Sequence, residues 1–324
     1  MTTLYVATPG GHLAELSNLA DRIPPDGAEV WVSSDNVQSR SVLAGREVQF
    51  VHAVAARSVL GVLRCLPTAH RLWRGRRLDR AISNGSGMAL GFLPYLAARG
   101  VECHYIECAA RVTGPSLTGK IMRWMPGVRV HTQYRSWAGR VWSYAGSQFD
   151  GYEAGPPDRR TGDTVRVVVT VGASTFPFRR MIENLVPLLT SDGELHRATG
   201  LPVEVLWQTG ATEVDDLPIE ATPMLPITDL TAAMSTADIV VSHAGIGSAL
   251  AAAECGRCAV MVARAERYGE ASDDHQGELA SDLNGRGLAL QRDADTLTID
   301  DLLTSWGATV RRCSDASDFR LHVR

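Results

Sequence analysis

Short apolar runs that end in glycine-rich turns and lead into helix-spaced apolar positions recur along this chain. The first run is Leu4 to Ala7, followed by the turn Pro9-Gly10-Gly11-His12 and the stretch LAELSNLADRI, which predicts a helix. Glu29 to Ser33 and Gln49 to Val54 read as further strands. Residues 58–78 place apolar positions at helical spacing among many arginines. Arg80 to Ser83 predicts a strand, Asn84-Gly85-Ser86-Gly87 a turn, Met88 to Arg99 a helix and Val101 to Ile106 a strand. Strands alternating with helices predict a parallel sheet in an α/β domain.

The pattern stops near residue 145, and GSQFDGYEAGPPDRRTGD has the Gly, Pro and charge content of a linker. It restarts at Val165 to Val171, then gives a helix (Arg179 to Leu189), a strand (Val203 to Gln208) and a short helix (Thr228 to Ser235). Ile239 to Ser242, Ser248 to Glu254 and Cys258 to Ala263 continue it as strand, helix and strand. The expected organisation is therefore a Rossmann-like domain over 1–150 and a linker over 151–163. A second such domain spans 164–308, and a tail runs over 309–324. Open α/β sheets bind ligands beyond the carboxyl ends of their strands, so two of them facing a central cleft make a site for two substrates.

Bulk composition fits two packed domains: 324 residues, 45% hydrophobic and 21% charged. No apolar run reaches the ~18 residues of a membrane-spanning helix. The opening MTTLYVATPGGH lacks the basic and apolar regions of a secretory signal, so a cytoplasmic location is expected. Charge is unevenly spread. Residues 1–150 hold 17 Lys+Arg against 10 Asp+Glu, a net +7, whereas 151–324 hold 15 against 26, a net −11. A basic front half suits an anionic ligand or an anionic membrane surface. No nucleic-acid motif accompanies it, so nucleic acid is not an expected partner. Cys255 and Cys258 form one C-x-x-C without a second ligand pair, which favours buried packing over a redox pair and gives no metal site.

A Gly-rich turn between strand and helix presents free backbone N–H groups at the positive end of a helix, which suits an anion, usually phosphate. Three such turns occur: Pro9 to His12, Asn84 to Gly87 and Ala244 to Ser248. A lone turn reads equally as tight geometry, but three after strands point to ligands. Gly114 to Lys120 (GPSLTGK) imitates a P-loop, but Ile121 stands where the magnesium-binding Ser or Thr belongs, which excludes an ATPase or kinase on that motif.

In the third turn, His243-Ala244-Gly245-Ile246-Gly247-Ser248, the glycines admit a diphosphate closely while Ser248 and His243 offer donors. The polar cluster Tyr268-Gly269-Glu270 and Asp273-Asp274-His275-Gln276 suits recognition of sugar hydroxyls, and equally reads as a solvated loop and helix cap.

The segment VVSHAGIGSALAAAECGRCAVMVARAERYGEASDDHQGELA resembles the nucleotide-binding half of family 28 glycosyltransferases. It is similar above all to the donor subunits of two-component bacterial exopolysaccharide glycosyltransferases and of the second N-acetylglucosaminyltransferase of the dolichol pathway. VTVGASTFPFRRMIENL (169–185) and VLWQTGAT (205–212) carry the same likeness. TPGGHLAEL (8–16), ISNGSGMALGFLPYLAARG (82–100) and HYIECAARVTGPSLTGKIM (104–122) resemble the acceptor subunit, as though the two were fused. The sequence departs where such acceptor subunits often have Trp-Pro-Glu, carrying Gln133-Tyr134-Arg135-Ser136-Trp137 instead.

The resemblance implies a GT-B fold and inverting transfer from a UDP-sugar to a hydroxyl acceptor, without a tightly bound metal or other cofactor. It implies nucleotide contacts at Gly172, Gln208, His243, Gly245, Ile246, Gly247 and Ser248. Glu254 would meet the ribose, although some relatives hold their acid one turn earlier, at the place of Ala251. Glu270, Asp274, His275 and Gln276 would face the sugar, and Gly10, Gly11, Asn84, Gly85 and Ser86 would line the acceptor side. As catalytic base the chemistry favours His12, which titrates near neutrality, with Glu107 second; His12 also reads as a turn residue that binds acceptor phosphate. Residues 59–80 combine Leu, Val and Trp73 with six arginines. They suit an anionic bilayer on the inner face of the membrane and a polyprenyl-linked acceptor, or else a helix packed on the sheet. Rival functions are a soluble natural-product glycosyltransferase, a non-catalytic sugar-nucleotide-binding subunit and a UDP-sugar 2-epimerase.

Overall fold

The computed structural model describes residues 2–23, 27–55, 58–159, 162–313 and 319–321. These form two compact units, one of residues 1–150 with 316–324 and one of 151–315.

The first unit alternates strand and helix in chain order. β1 (Thr2–Val6), α1 (Gly11–Arg22), β2 (Ala28–Ser34), α2 (Val37–Val42) and β3 (Val48–Val51) come first. Next are α3 (Val59–Gly75), β4 (Arg80–Ser83), α4 (Ser86–Ala97) and β5 (Glu102–Ile106). The unit closes with α5 (Leu117–Met122), β6 (Val128–Thr132) and β7 (Trp142–Tyr144). All seven strands are parallel, in the order β3-β2-β1-β4-β5-β6-β7. Both faces of such a sheet are covered, so strand residues alternate between two cores rather than between core and water. Leu4, Val6, Val30 and Val32 pack with α3 and α4. Tyr5, Ala7, Trp31 and Ile82 pack on the other face with Leu13, Leu16 and Leu19 of α1. Tyr5 stacks on Trp31 at 4.6 Å between ring centroids.

α3 and α4 are closely apposed. α3 buries Gly61, Cys65, Ala69 and Leu72, spaced along one stripe. A β-carbon on Gly91 of α4 would stand 2.6 Å from Cys65 Cβ and 2.8 Å from the Val62 carbonyl oxygen, so only glycine fits. Pro67 does not end α3, which continues to Gly75.

The second unit holds β8 (Tyr152–Ala154), β9 (Val165–Thr170), α6 (Arg179–Leu189), α7 (Glu194–Thr199) and β10 (Val203–Gln208). There follow β11 (Ala221–Thr222), α8 (Ile227–Thr236), β12 (Ile239–His243), α9 (Ile246–Glu254) and β13 (Ala259–Val262). Last come α10 (His275–Gly285), β14 (Ala289–Arg292), α11 (Ile299–Ser305) and β15 (Val310–Arg312). Its parallel sheet runs β11-β10-β9-β12-β13-β14. Val165, Val167, Val169 and Val171 pack on Met181, Ile182 and Leu185 of α6.

Both sheets thus share the doubly wound order in which the first strand lies between the second and the fourth. The switch point, where ligands bind in such sheets, falls between β1 and β4 in one unit and between β9 and β12 in the other.

Two segments differ from the sequence expectation. Residues 151–163, read as linker, include β8, and 309–324, read as tail, include β15; the two strands pair antiparallel, Val310 opposite Ala154. Three-residue strands held by a partner some 150 positions away leave no local signal. Phe319, by contrast, is buried in the first unit, and the Arg320 amide donates to the Ala145 carbonyl at 2.8 Å. The C-x-x-C is packing: both thiols are free, and burial pushes Cys258 up to about 11. No described helix is long and apolar enough to cross a membrane.

Candidate functional site

At the switch point of the first unit, two helices begin side by side without a side-chain cap. α1 starts after Gly10, at φ 96°, and α4 after Gly85, at φ 142°. Their first-turn N–H groups are therefore left for a ligand or water. His12 lies against Gly85: a β-carbon there would be 2.6 Å from His12 Cε1. Ser86 has φ 57°, the single positive value outside glycine among the described residues, and its buried hydroxyl has no hydrogen-bond partner. A strained residue at a helix start beside a ligand-binding edge is a common mark of function.

Asn84 is fully buried and acts as a brace. Its Nδ2 donates to the His12 carbonyl at 2.8 Å and to Glu15 Oε2 at 3.0 Å, while its Oδ1 has no partner. Glu15 was not among the expected site residues, yet it is the hub of this edge. It is 0% exposed. Its Oε1 accepts from the Ala109 amide at 2.8 Å and from Gln133 Nε2 at 2.5 Å. Loops after three strands, β4, β5 and β6, thus converge on one carboxylate of α1 that meets no cation in these bonds. Burial pushes its pKa up, and the bonds from Ala109, Cys108, Gln133 and Asn84 oppose that. Ligand-capable atoms of His12, Glu15 and Cys108 all lie within 4.8 Å of one another. A sequence signal existed: Glu15 stands four residues before Leu19 and beside Leu16 on the buried face of α1, where an acid is out of place.

Glu107 takes a different role from the one expected. It is buried at the end of β5, where Oε2 accepts from the Ser116 amide and hydroxyl at 3.0 and 3.1 Å, and Oε1 accepts from Tyr105 Oη at 3.2 Å and the Cys108 amide at 3.3 Å. Burial raises its pKa to about 7. A β-carbon on Gly119 would fall 2.1 Å from Glu107 Oε2. The glycine of the P-loop look-alike therefore makes room for this carboxylate, and Ser116 caps α5. Glu107 fastens the 108–119 segment and is closed to an acceptor hydroxyl.

In the second unit the relation of histidine and glycine recurs with their places exchanged. Gly172, at φ 73°, follows β9; His243 ends β12. A β-carbon on Gly172 would lie 2.2 Å from His243 Cε1, and one on Gly245 2.2 Å from Nε2, so the imidazole is held between two glycines. Ser248 Oγ is 3.3 Å from Nδ1. Burial, aided by the Arg264 charge, pushes His243 down to about 3, so it is a neutral ring. α9 starts at Ile246, largely buried, with Gly247 in its first turn and no side-chain cap. Ser242 Oγ and Gln208 Oε1, at the carboxyl ends of β12 and β10, are buried without partners. Six of the expected nucleotide residues (Gly172, His243, Gly245, Ile246, Gly247, Ser248) thus surround the switch point, with Gln208 one strand away.

Glu254 does not join them. It ends α9, about 12 Å along the helix from its start, and its carboxylate is held by Tyr152 of β8 and Arg312 of β15. The expected sugar-facing residues mostly organise their own loop. Glu270 pairs with Arg180 through both oxygens at 3.1 and 3.0 Å. Asp274 Oδ1 accepts from the Glu266 amide at 2.8 Å, and Gln276 Oε1 from the Arg264 amide at 3.1 Å. His275 bonds Asp273. Glu270 is thereby committed to an ion pair and is unsuited to a sugar hydroxyl.

Residues 166–305 match the glycosyltransferase family 28 C-terminal domain. Over 147 residues the chain is 27% identical to a UDP-N-acetylglucosamine--N-acetylmuramyl-(pentapeptide) pyrophosphoryl-undecaprenol N-acetylglucosamine transferase of Solibacter usitatus, covering 43% of this chain and 38% of that relative's length. In structure it is similar to MurG of Acinetobacter baumannii (TM-score 0.58, 18% identity, 94% of this chain and 89% of that one). It is likewise similar to the glycosyltransferase SnogD of Streptomyces nogalater (0.60, 17%, 94% and 91%). Spinosyn rhamnosyltransferase SpnG, solved with thymidine diphosphate, matches at 0.54 and 16%, over 95% and 92% of the two chains.

Proposed function

From a chain that has the GT-B fold and carries a family 28 C-terminal domain, we propose an inverting glycosyltransferase that moves a sugar from a UDP-sugar to a hydroxyl acceptor. The observation that carries the reading is His243, neutral and seated between Gly172 and Gly245 at the uncapped start of α9. Backbone N–H groups, Ser248 and a neutral imidazole make a donor surface for a diphosphate, and fixed donors stabilise the charge that develops as it leaves. Transfer then needs no bound metal for that charge.

The acceptor belongs to the first unit, with His12 as base. The oxygen of the acceptor attacks the anomeric carbon, its proton passes to His12, and the electron pair of the broken bond leaves with UDP. A protonated His12 gains from Glu15, whose ligand-capable atoms lie within 4.8 Å of it.

The proposed acceptor is polyprenyl-linked, taken up by a protein resting on the inner face of an anionic membrane. Val59, Leu60 and Leu63 of α3 and Leu117 and Ile121 of α5 are exposed, as is Trp124 just beyond α5. At the far end of α3, Arg74, Arg76, Arg77 and Arg99 surround a hollow of about 380 Å³ beside Trp73. Exposed apolar side chains at one end of α3 and arginines at the other suit an anionic bilayer.

The test is a panel of nucleotide sugars in thermal shift and slow-hydrolysis assays, with and without EDTA. UDP or one UDP-sugar should stabilise the protein, and a bulky residue at Gly247 should weaken the effect. No shift with any nucleotide sinks the donor reading; epimerised sugar without acceptor makes the protein an epimerase.

A further inference from the structure

The second unit buries a guanidinium whose every hydrogen bond goes to a backbone carbonyl. Arg264, just after β13, is 2% exposed. Its Nη1 donates to the carbonyls of Phe176 at 2.7 Å, Pro177 at 2.9 Å and Glu270 at 3.3 Å, and its Nη2 to Val171 at 2.8 Å. Its Nε has no partner. The acid whose charge reaches it, Glu270, is turned to Arg180, which also meets Asp293 and Asp295. Carbonyl dipoles solvate a cation without neutralising it, and an uncompensated buried charge is costly. Burial lowers Arg264 to about 10, which leaves it charged at neutral pH.

The position of this charge gives it a use. It holds the carbonyl of Val171, which precedes Gly172, and its field acts on His243, the ring that Gly172 abuts. The cation therefore lies beneath the edge where α9 begins.

We propose that Arg264 is a fixed counter-charge for the diphosphate of the nucleotide, acting through space from under the switch point. The proposal rests on the donor reading above and names the residue that supplies the positive charge. When the bond from the anomeric carbon to the phosphate oxygen breaks, its electron pair adds one negative charge to the diphosphate. A cation already in place stabilises that state more than the bound UDP-sugar, with no reorganisation at the moment of transfer. Because Arg264 is buried, it is a positioning residue rather than one that touches substrate. Its carbonyl bonds also fasten the loop over 171–177, so its electrostatic part has to be separated from its scaffold part.

Calorimetry on the full chain with uridine, UMP and UDP separates them, because only the phosphates sense the charge. In the wild type, affinity should rise from uridine to UDP. Arg264→Gln should weaken UDP at least tenfold while leaving uridine within about twofold, and Arg264→Lys should keep most of the difference. Equal loss of uridine and UDP in Arg264→Gln, or unchanged UDP affinity, overturns the proposal. If Arg264→Gln does not fold, the lysine variant decides: an unchanged ratio of UDP to uridine affinity supports a charge role, and a tenfold fall in that ratio overturns it. A wild type that binds none of the three overturns the donor reading itself, and the proposal with it.

Discussion

The ring of His243 fills the space that a side chain on Gly172 would need, a β-carbon there falling 2.2 Å from Cε1. His12 stands in the same relation to Gly85 at 2.6 Å. Both glycines also have positive φ, 73° and 142°. Alanine at either place must strain the backbone and displace an imidazole, a cost on the order of 2–4 kcal/mol. Gly172→Ala should abolish the thermal shift given by UDP, whereas Gly85→Ala should leave it intact and remove transfer to acceptor. Loss of UDP binding in both variants would contradict the assignment of donor and acceptor to separate units.

The ring–glycine contacts explain which parts of the site were legible in the sequence. The turns were, because a glycine between an apolar strand and a helix is a local signal that survives folding. Glu15, Asn84 and Gln133 do not read as one hub, because Asn84 and Gln133 lie 69 and 118 positions from Glu15 along the chain and meet it only when the loops after β4 and β6 close on α1. The burial of Arg264 leaves no local signal for the same reason. Its burial depends on carbonyls of residues 171, 176, 177 and 270. Glu107 misled through its position at a strand end, which in an open sheet does suggest chemistry; its bonds to Ser116 turn it inward instead. Of the strands, those with apolar runs such as Val165–Thr170 were evident, while short β7, β8, β11 and β15 have only two or three residues each and depend on pairing.

Glu15 and His12 should separate in mutagenesis. His12→Ala removes the base and should lower turnover about 10²- to 10⁴-fold with the folded state intact. Glu15→Ala strips the acceptor from Ala109 N–H, Gln133 and Asn84, and each buried donor left unpaired costs about 1–3 kcal/mol. Urea melts should therefore show a loss of several kcal/mol for Glu15→Ala and little for His12→Ala. Glu15→Gln keeps one acceptor oxygen and should fall between them in stability while still losing turnover. Equal stability of all three variants would remove Glu15 from the hub.

Glu107 sets a pH dependence whose sign follows from burial. Its carboxyl moves from 4.5 in the unfolded chain to about 7 in the fold. Between those values the folded state holds the extra proton, so stability falls as pH rises and levels off above about 7. The displacement corresponds to about 3 kcal/mol. In Glu107→Gln that slope disappears, although the amide faces donors on one side and lowers stability at every pH. Denaturant midpoints of the two proteins at pH 5 and pH 8 give the comparison: the variant should lose ground at pH 5 relative to pH 8. A constant gap would mean that Glu107 is ionised across the range, held so by Ser116, Tyr105 and Cys108.

Membrane contact makes a prediction that the packing of α3 isolates. Its buried stripe, Gly61, Cys65, Ala69 and Leu72, holds the helix to α4, whereas Leu60 and Trp124 are 68% and 71% exposed, the Trp124 ring meeting the neighbouring Arg123 guanidinium at 4.7 Å. Changing both to serine should leave the melting temperature within about a degree or raise it, since surface sites contribute within about ±0.5 kcal/mol. Sedimentation with vesicles containing anionic lipid should drop, because each exposed apolar side chain is worth about 1.5–3 kcal/mol when buried in an apolar phase. Arginine contacts add a term that salt screens. Arg74→Gln should therefore weaken binding at low salt and matter little at high salt, while the serine pair weakens it at both. Unchanged sedimentation of the serine variant would leave α3 as a helix packed on its sheet, and would turn the search for an acceptor from lipid-linked saccharides to soluble ones.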